Sequence, residues 1–97
     1  MEFEGMREVR AGRHVLTFDG RVLEVFNGSD GSVRVHVARM RLKVSEGRKG
    51  RLVVEVTAER RNTPRAVFDV DAEERAAFEP FIAQVRAAAA AAEHDGL

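Results

Sequence analysis

The stretch Val33-Arg34-Val35-His36-Val37-Ala38-Arg39-Met40-Arg41-Leu42-Lys43-Val44 decides how the chain folds. Apolar and polar residues alternate strictly over 33–37, the period-two signature of a half-buried strand. The alternation resumes over 40–44 in the opposite phase, because Val33, Val35 and Val37 are odd-numbered while Met40, Leu42 and Val44 are even. A one-residue shift of phase turns every side chain over. The chain is therefore expected to bulge, turn or make a short helical bend near Ala38-Arg39. One dry and one wet face on each side of that point predict antiparallel rather than doubly covered parallel sheet.

Upstream, residues 14–18 alternate and run into Asp19-Gly20, the strongest short hairpin signal in the chain. Asp-Gly suits a type I′ turn, in which both central residues take positive φ. The return strand is 21–26, and Asn27-Gly28-Ser29-Asp30-Gly31 is a cluster of turn residues. A first strand over 2–9 precedes Ala11-Gly12. Downstream, 46–50 and 60–64 are polar loops. Residues 51–57 and 65–70 are strands, with Leu52, Val54, Val56, Ala66, Phe68 and Val70 on their apolar faces.

After Val70 the period lengthens from two to about 3.6. Asp71-Ala72-Glu73-Glu74 fits a capping box, and its acids complement the helix dipole. Phe78, Phe81, Ile82, Val85 and Ala89 make one apolar stripe, while Glu79, Gln84 and Arg86 take the other side. The expected helix covers 72–92, with a kink or break at Pro80, whose ring clashes with the carbonyl four residues back. Residues 93–97 are expected to fray.

The chain has 97 residues and no cysteine. That is one domain's worth of chain with no disulfide framework, which fits a reducing, cytoplasmic setting. No signal peptide is expected, and the longest apolar run, 87–92, is too short to span a bilayer. The formal net charge is zero but unevenly spread: residues 1–65 carry 14 Lys+Arg against 9 Asp+Glu, and residues 66–97 carry 2 against 7.

No constellation specifies a reaction. His14, His36 and His94 lack metal-ligand spacing and read as solvent-facing. Ser29, Ser32 and Ser45 lie at turns or strand ends, and the carboxylates of 69–74 are explained by capping. The expectation is a non-enzymatic chain with no cofactor and no metal. The basic set carries more information. Arg34, Arg39, Arg41 and Lys43 occupy outward positions of what read as neighbouring strands, followed by Arg48, Lys49 and Arg51. Side chains on paired strands lie about 5 Å apart, so these could converge on an anion. There is no tyrosine or tryptophan, and none of the six phenylalanines is placed on the arginine face. Nucleic acid, which is usually stacked on such rings, is not the expected partner.

The stretch Val15-Leu16-Thr17-Phe18-Asp19-Gly20-Arg21-Val22-Leu23-Glu24-Val25 resembles the second and third strands of bacterial pleckstrin-homology-like (PH-like) domains of actinobacterial type. Phe68-Asp69-Val70-Asp71 with Phe78, Phe81-Ile82 and Val85-Arg86 is similar to their end, and residues 35–44 to their strand and bend. The resemblance covers nearly the whole chain. It implies a mainly β fold with one C-terminal α-helix, a PH-like barrel of about seven antiparallel strands capped by the helix. It also implies an interaction or assembly module binding a protein partner or itself. The alternative is an anionic lipid or phosphate-bearing ligand held by the basic face. The basic motif of the eukaryotic relatives, after the first strand, is echoed by Arg10 and Arg13.

Overall fold

The computed structural model of the chain describes residues 7–28, 31–60 and 63–95, with side chains up to residue 92. In chain order its elements are β1 (Arg7–Ala11), β2 (His14–Phe18), β3 (Val22–Asn27), β4 (Ser32–His36), β5 (Met40–Glu46), β6 (Leu52–Ala58), β7 (Ala66–Val70) and α1 (Arg75–Asp95). Residues 2–6 of the expected first strand lie outside the described residues, as do the side chains of the expected frayed tail, His94 among them.

The change of phase near Ala38 is a 3-10 turn over Val37–Arg39. His36 caps it, its Nδ1 accepting from the Ala38 N–H at 3.1 Å. The turn also divides the protein. β1 to β4 form one antiparallel sheet in sequence order, and β5 to β7 form a second; β4 does not pair with β5, nor β1 with β7. The expected barrel is therefore corrected. Closure needs an unbroken ladder around the sheet, and here the ladder stops at the turn. The fold is a mixed α/β arrangement of two open antiparallel sheets and one C-terminal helix.

Register aligns the apolar rows. In the first sheet Val9, Leu16, Val25 and Val33 lie opposite one another across all four strands, and Phe18, Leu23 and Val35 make the next row. In the second, Val44, Val54 and Phe68 form one row and Leu42, Val56 and Ala66 another. α1 covers these rows with Phe78, Phe81, Ile82 and Val85, all buried, which is the stripe read from the sequence. Aromatic rings join the three layers. His14 lies 5.3 Å from Phe68, Phe68 meets Phe78 edge-on at 6.4 Å, and Phe78 lies 6.5 Å from Phe81. His14 is thus half-buried against Phe68 rather than solvent-facing, since it shares the inward phase of Leu16 and Phe18.

Two turns explain the first sheet. β1 and β2 are joined through Gly12-Arg13, where Gly12 takes φ +63°. The Asp19-Gly20 hairpin forms where expected, but not as type I′. Only Gly20 has positive φ (+100°), and the ladder closes at Phe18–Leu23. Asp19 instead turns its carboxylate inward on the loop, with Oδ1 accepting from the N–H groups of Arg21 (2.9 Å) and Val22 (2.8 Å). Aspartate side chains commonly organise turns in this way. Donation from Val22 first, and then from Arg21, lowers the Asp19 pKa below its ordinary value.

The helix begins with a 3-10 turn over Ala72–Glu74, enclosed by a capping box of Asp71 and Glu74. Glu74 accepts from the Asp71 N–H at 3.0 Å. The same carboxylate accepts from the Gly12 N–H at 3.0 and 3.2 Å. α1 then runs through Pro80 unbroken, against the expected interruption there. Pro80 and Ala76, whose carbonyl loses its donor, are both exposed, so water can replace the missing bond. The buried Phe78 and Phe81 hold the helix on either side.

Truncation of the stripe tests this packing. Phe81→Ala is expected to cost ~3–5 kcal/mol, and Gln84→Ala almost nothing, in urea unfolding of both variants. Asp19 has a pH signature. A carboxyl with a depressed folded-state pKa stabilises fully above its unfolded pKa, and that stability is lost as pH falls through the folded value. Melting temperatures recorded between about pH 5 and pH 2 should therefore fall less steeply in Asp19→Asn, whose amide oxygen accepts the same bonds without titrating.

Candidate functional site

The four basic residues singled out in the sequence do not form one row. Arg34 projects from the outer face of β4, opposite Glu24, with its Nε 3.8 Å from Glu24 Oε1. Glu24 is itself held by the Ser32 hydroxyl at 2.7 Å. Arg39 closes the 3-10 turn. Arg41 and Lys43 lie on β5 in the other sheet, opposite Thr57 and Glu55. Because β4 and β5 are not paired, the spacing of a single ladder does not bring these side chains together. Arg10 and Arg13 sit at the β1–β2 end of the first sheet, whereas the register puts His36 beside Val22 at the other end. Phe26, 38 % exposed, shares the outer face with Arg34; this corrects the expectation that no phenylalanine lies there.

The geometry instead points to the outer edge of β5, which pairs with no strand among the described residues. That strand ends the second sheet, and its hydrogen-bond phase follows from two flanking contacts. The Glu59 N–H donates to the Arg39 carbonyl at 2.7 Å, and the Gly47 N–H to the Arg51 carbonyl at 2.8 Å. In an antiparallel ladder every second residue bonds to the neighbour. Arg41, Lys43 and Ser45 therefore spend their main-chain groups on β6, while those of Met40, Leu42 and Val44 face away from it. The phase shows which residues carry this edge.

Beside that edge runs α1, leaving two adjoining clefts. One, of about 660 Å³, is lined by Val44, Leu52, Ile82, Ala83 and Ala87, with Arg75 and Glu79 at its end. The other, of about 460 Å³, is lined by Met40, Leu42 and Ala89 together with Arg39, Arg41 and Glu59. Arg86 borders both, so the two clefts follow one another as a groove along β5, with the Arg86 side chain between them. Its charges are unequal. At the Val44 end Arg75 is neutralised, with Nη2 2.6 Å from Glu79 Oε2 and Nη1 3.3 Å from Glu46 Oε1. Nη1 also donates to the Gly50 carbonyl at 3.1 Å. The Glu79 bond, then Glu46, raises the Arg75 pKa. At the Met40 end Arg39 and Arg86 line the groove together with Glu59.

Arg34 and Arg39 meet in a further cleft of about 590 Å³, with His36, Glu59, Arg60 and Arg65. Lys43 lines none of these three clefts. Sequence reading missed Arg60, Arg65 and Arg86. They are far from residues 34–43 in the chain and no local motif links them; only the placement of the β6–β7 loop and of α1 does.

Among the described residues no three His, Asp or Glu side chains gather as a metal site. No helix there is long and apolar enough to cross a membrane. No family model, curated protein or solved structure matches the chain.

Proposed function

We propose that the protein is a non-enzymatic interaction module that receives an extended, acidic segment of a partner protein as an added strand on β5. The outward main-chain groups of Met40, Leu42 and Val44, beside an apolar groove with an arginine-rich end, carry this reading. Strand addition draws affinity from main-chain hydrogen bonds and specificity from pockets for alternate side chains. Both are available here. Small alanines at 83, 87 and 89 leave room for an incoming side chain, and Arg39 and Arg86 favour carboxylates over lysines. The order of seven strands and one helix supports the likeness to bacterial PH-like interaction modules at the level of element order, without the closed barrel. The lack of cysteine supports a cytoplasmic setting.

Random peptides displayed on phage and selected against the full chain test this. Enriched sequences should be acidic and extended, and should shift the Leu42 and Val44 amide resonances. Ala83→Arg, at an exposed helix position lining the groove, should weaken them about tenfold, or ~1.4 kcal/mol. Enriched peptides that leave Leu42, Val44 and Ala83→Arg indifferent would sink the proposal. So would a concentration-dependent dimer abolished by Ala83→Arg, which would make a second copy of the chain the occupant.

A further inference from the structure

We infer that the cleft where the two sheets part company is a binding site for a phosphate-class oxyanion, next to the Met40 end of the strand-docking groove, with which it shares Ala38, Arg39 and Glu59. Three stretches of chain supply it. Arg34 and His36 lie two apart on β4 and so share its outer face; Arg39 comes from the 3-10 turn, and Arg60 and Arg65 from the β6–β7 connection. Glu59 is the one carboxylate among the lining residues. Four guanidinium groups against one carboxylate is a local excess of positive charge that nothing in the composition requires, since acids and bases balance over the whole chain.

The cluster is held in place rather than loosely gathered. The Glu59 N–H bonds the Arg39 carbonyl at 2.7 Å and the Arg65 N–H bonds the Val56 carbonyl at 2.7 Å, which pins both limbs of the β6–β7 connection. Arg60 takes φ +71°, a conformation that a non-glycine residue adopts only at a cost. Among the described residues Arg39, Arg60 and Arg65 make no ion pair, while Arg34 lies 3.8 Å from Glu24 and also interacts electrostatically with Asp19. A multivalent anion would offset the like charges that line the cleft.

The donors suit a tetrahedral oxyanion. Guanidinium forks bind phosphate oxygens in pairs. His36 adds a directed donor: its Nδ1 is occupied in accepting from Ala38, so the proton of the neutral ring sits on Nε2. Phe26 does not line the cleft, so His36 is the one ring beside the arginines among the described residues. The cleft thus fits a phosphate group better than a nucleic acid strand. A lipid headgroup or a small soluble phosphate ester would present the same chemistry.

Amide resonances of the ¹⁵N-labelled full chain, titrated with inorganic phosphate, with sulfate and with chloride at matched ionic strength, provide the test. Phosphate should give saturable shifts at residues 34–39, 58–60 and 65, and chloride should not. Arg60→Gln and Arg65→Gln should each weaken phosphate about tenfold, while Lys43→Gln, outside the cleft, should not. A second arm uses phosphatidylcholine vesicles with and without phosphatidic acid. Co-sedimentation that needs phosphatidic acid and is lost in Arg65→Gln identifies the source as a lipid headgroup. Saturable binding of free phosphate alone identifies it as a soluble ester. Shifts that are unsaturable and equal for all three anions, or an equal loss in Lys43→Gln, would overturn the inference. These readouts do not depend on any peptide, so the site and the groove stand or fall separately.

Discussion

The corner at Val37–Arg39 is the constraint on which the rest of the structure depends. Val33, Val35 and Val37 need burial in one phase, and Met40, Leu42 and Val44 need it in the other. A straight strand through all twelve residues would put one of these sets in water, at roughly 1.5–3 kcal/mol for each fully exposed side chain. The 3-10 turn removes the conflict by moving the chain to a second sheet, and Val37 is buried in the process. The division of the ladder, the outer edge of β5 and the position of Arg39 between two clefts all follow from this one change of direction.

What was legible in the sequence was local. The alternation of residues 33–44, the Asp19-Gly20 hairpin, the acids before the helix and the stripe from Phe78 to Val85 all report short-range geometry, and each appears in the structure. Periodicity says which face a residue occupies but not which strand lies beside it, so Arg34 and Arg41 could be read as neighbours when their strands belong to different sheets. The same limit placed His14 in solvent, because only the tertiary fold reveals Phe68 above it. Propensity failed at Pro80 for a related reason: packing on both sides outweighed one lost hydrogen bond. Of the candidate site, the arginines of β4 and the turn were visible. Arg60, Arg65 and Arg86 were not, because loop placement and helix docking are long-range outcomes.

The uneven charge of the chain resolves into two parts. Some of it is spent internally, in pairs between the helix start and the second sheet: Arg51 lies 3.4 Å from Asp71, and, with the signs reversed, Arg75 of α1 reaches Glu46 of β5. Exposed pairs of this kind add little stability individually, but they settle how the helix sits on the sheet. The remaining positive charge lies at the opposite end of β6, around Arg39, Arg60 and Arg65, beyond reach of those acids. Both proposed ligands are acidic because the surplus is concentrated there.

The carboxylate of Glu74 serves two masters, the Asp71 N–H at the helix start and the Gly12 N–H in the first hairpin turn, 62 residues away in sequence. Local opening in proteins usually proceeds through units that can detach separately. Here the beginning of the last element and the first turn share one anchor, so releasing either exposes donors of both. The helix start and the first hairpin turn are thereby coupled through one side chain, so fraying at either is felt at the other.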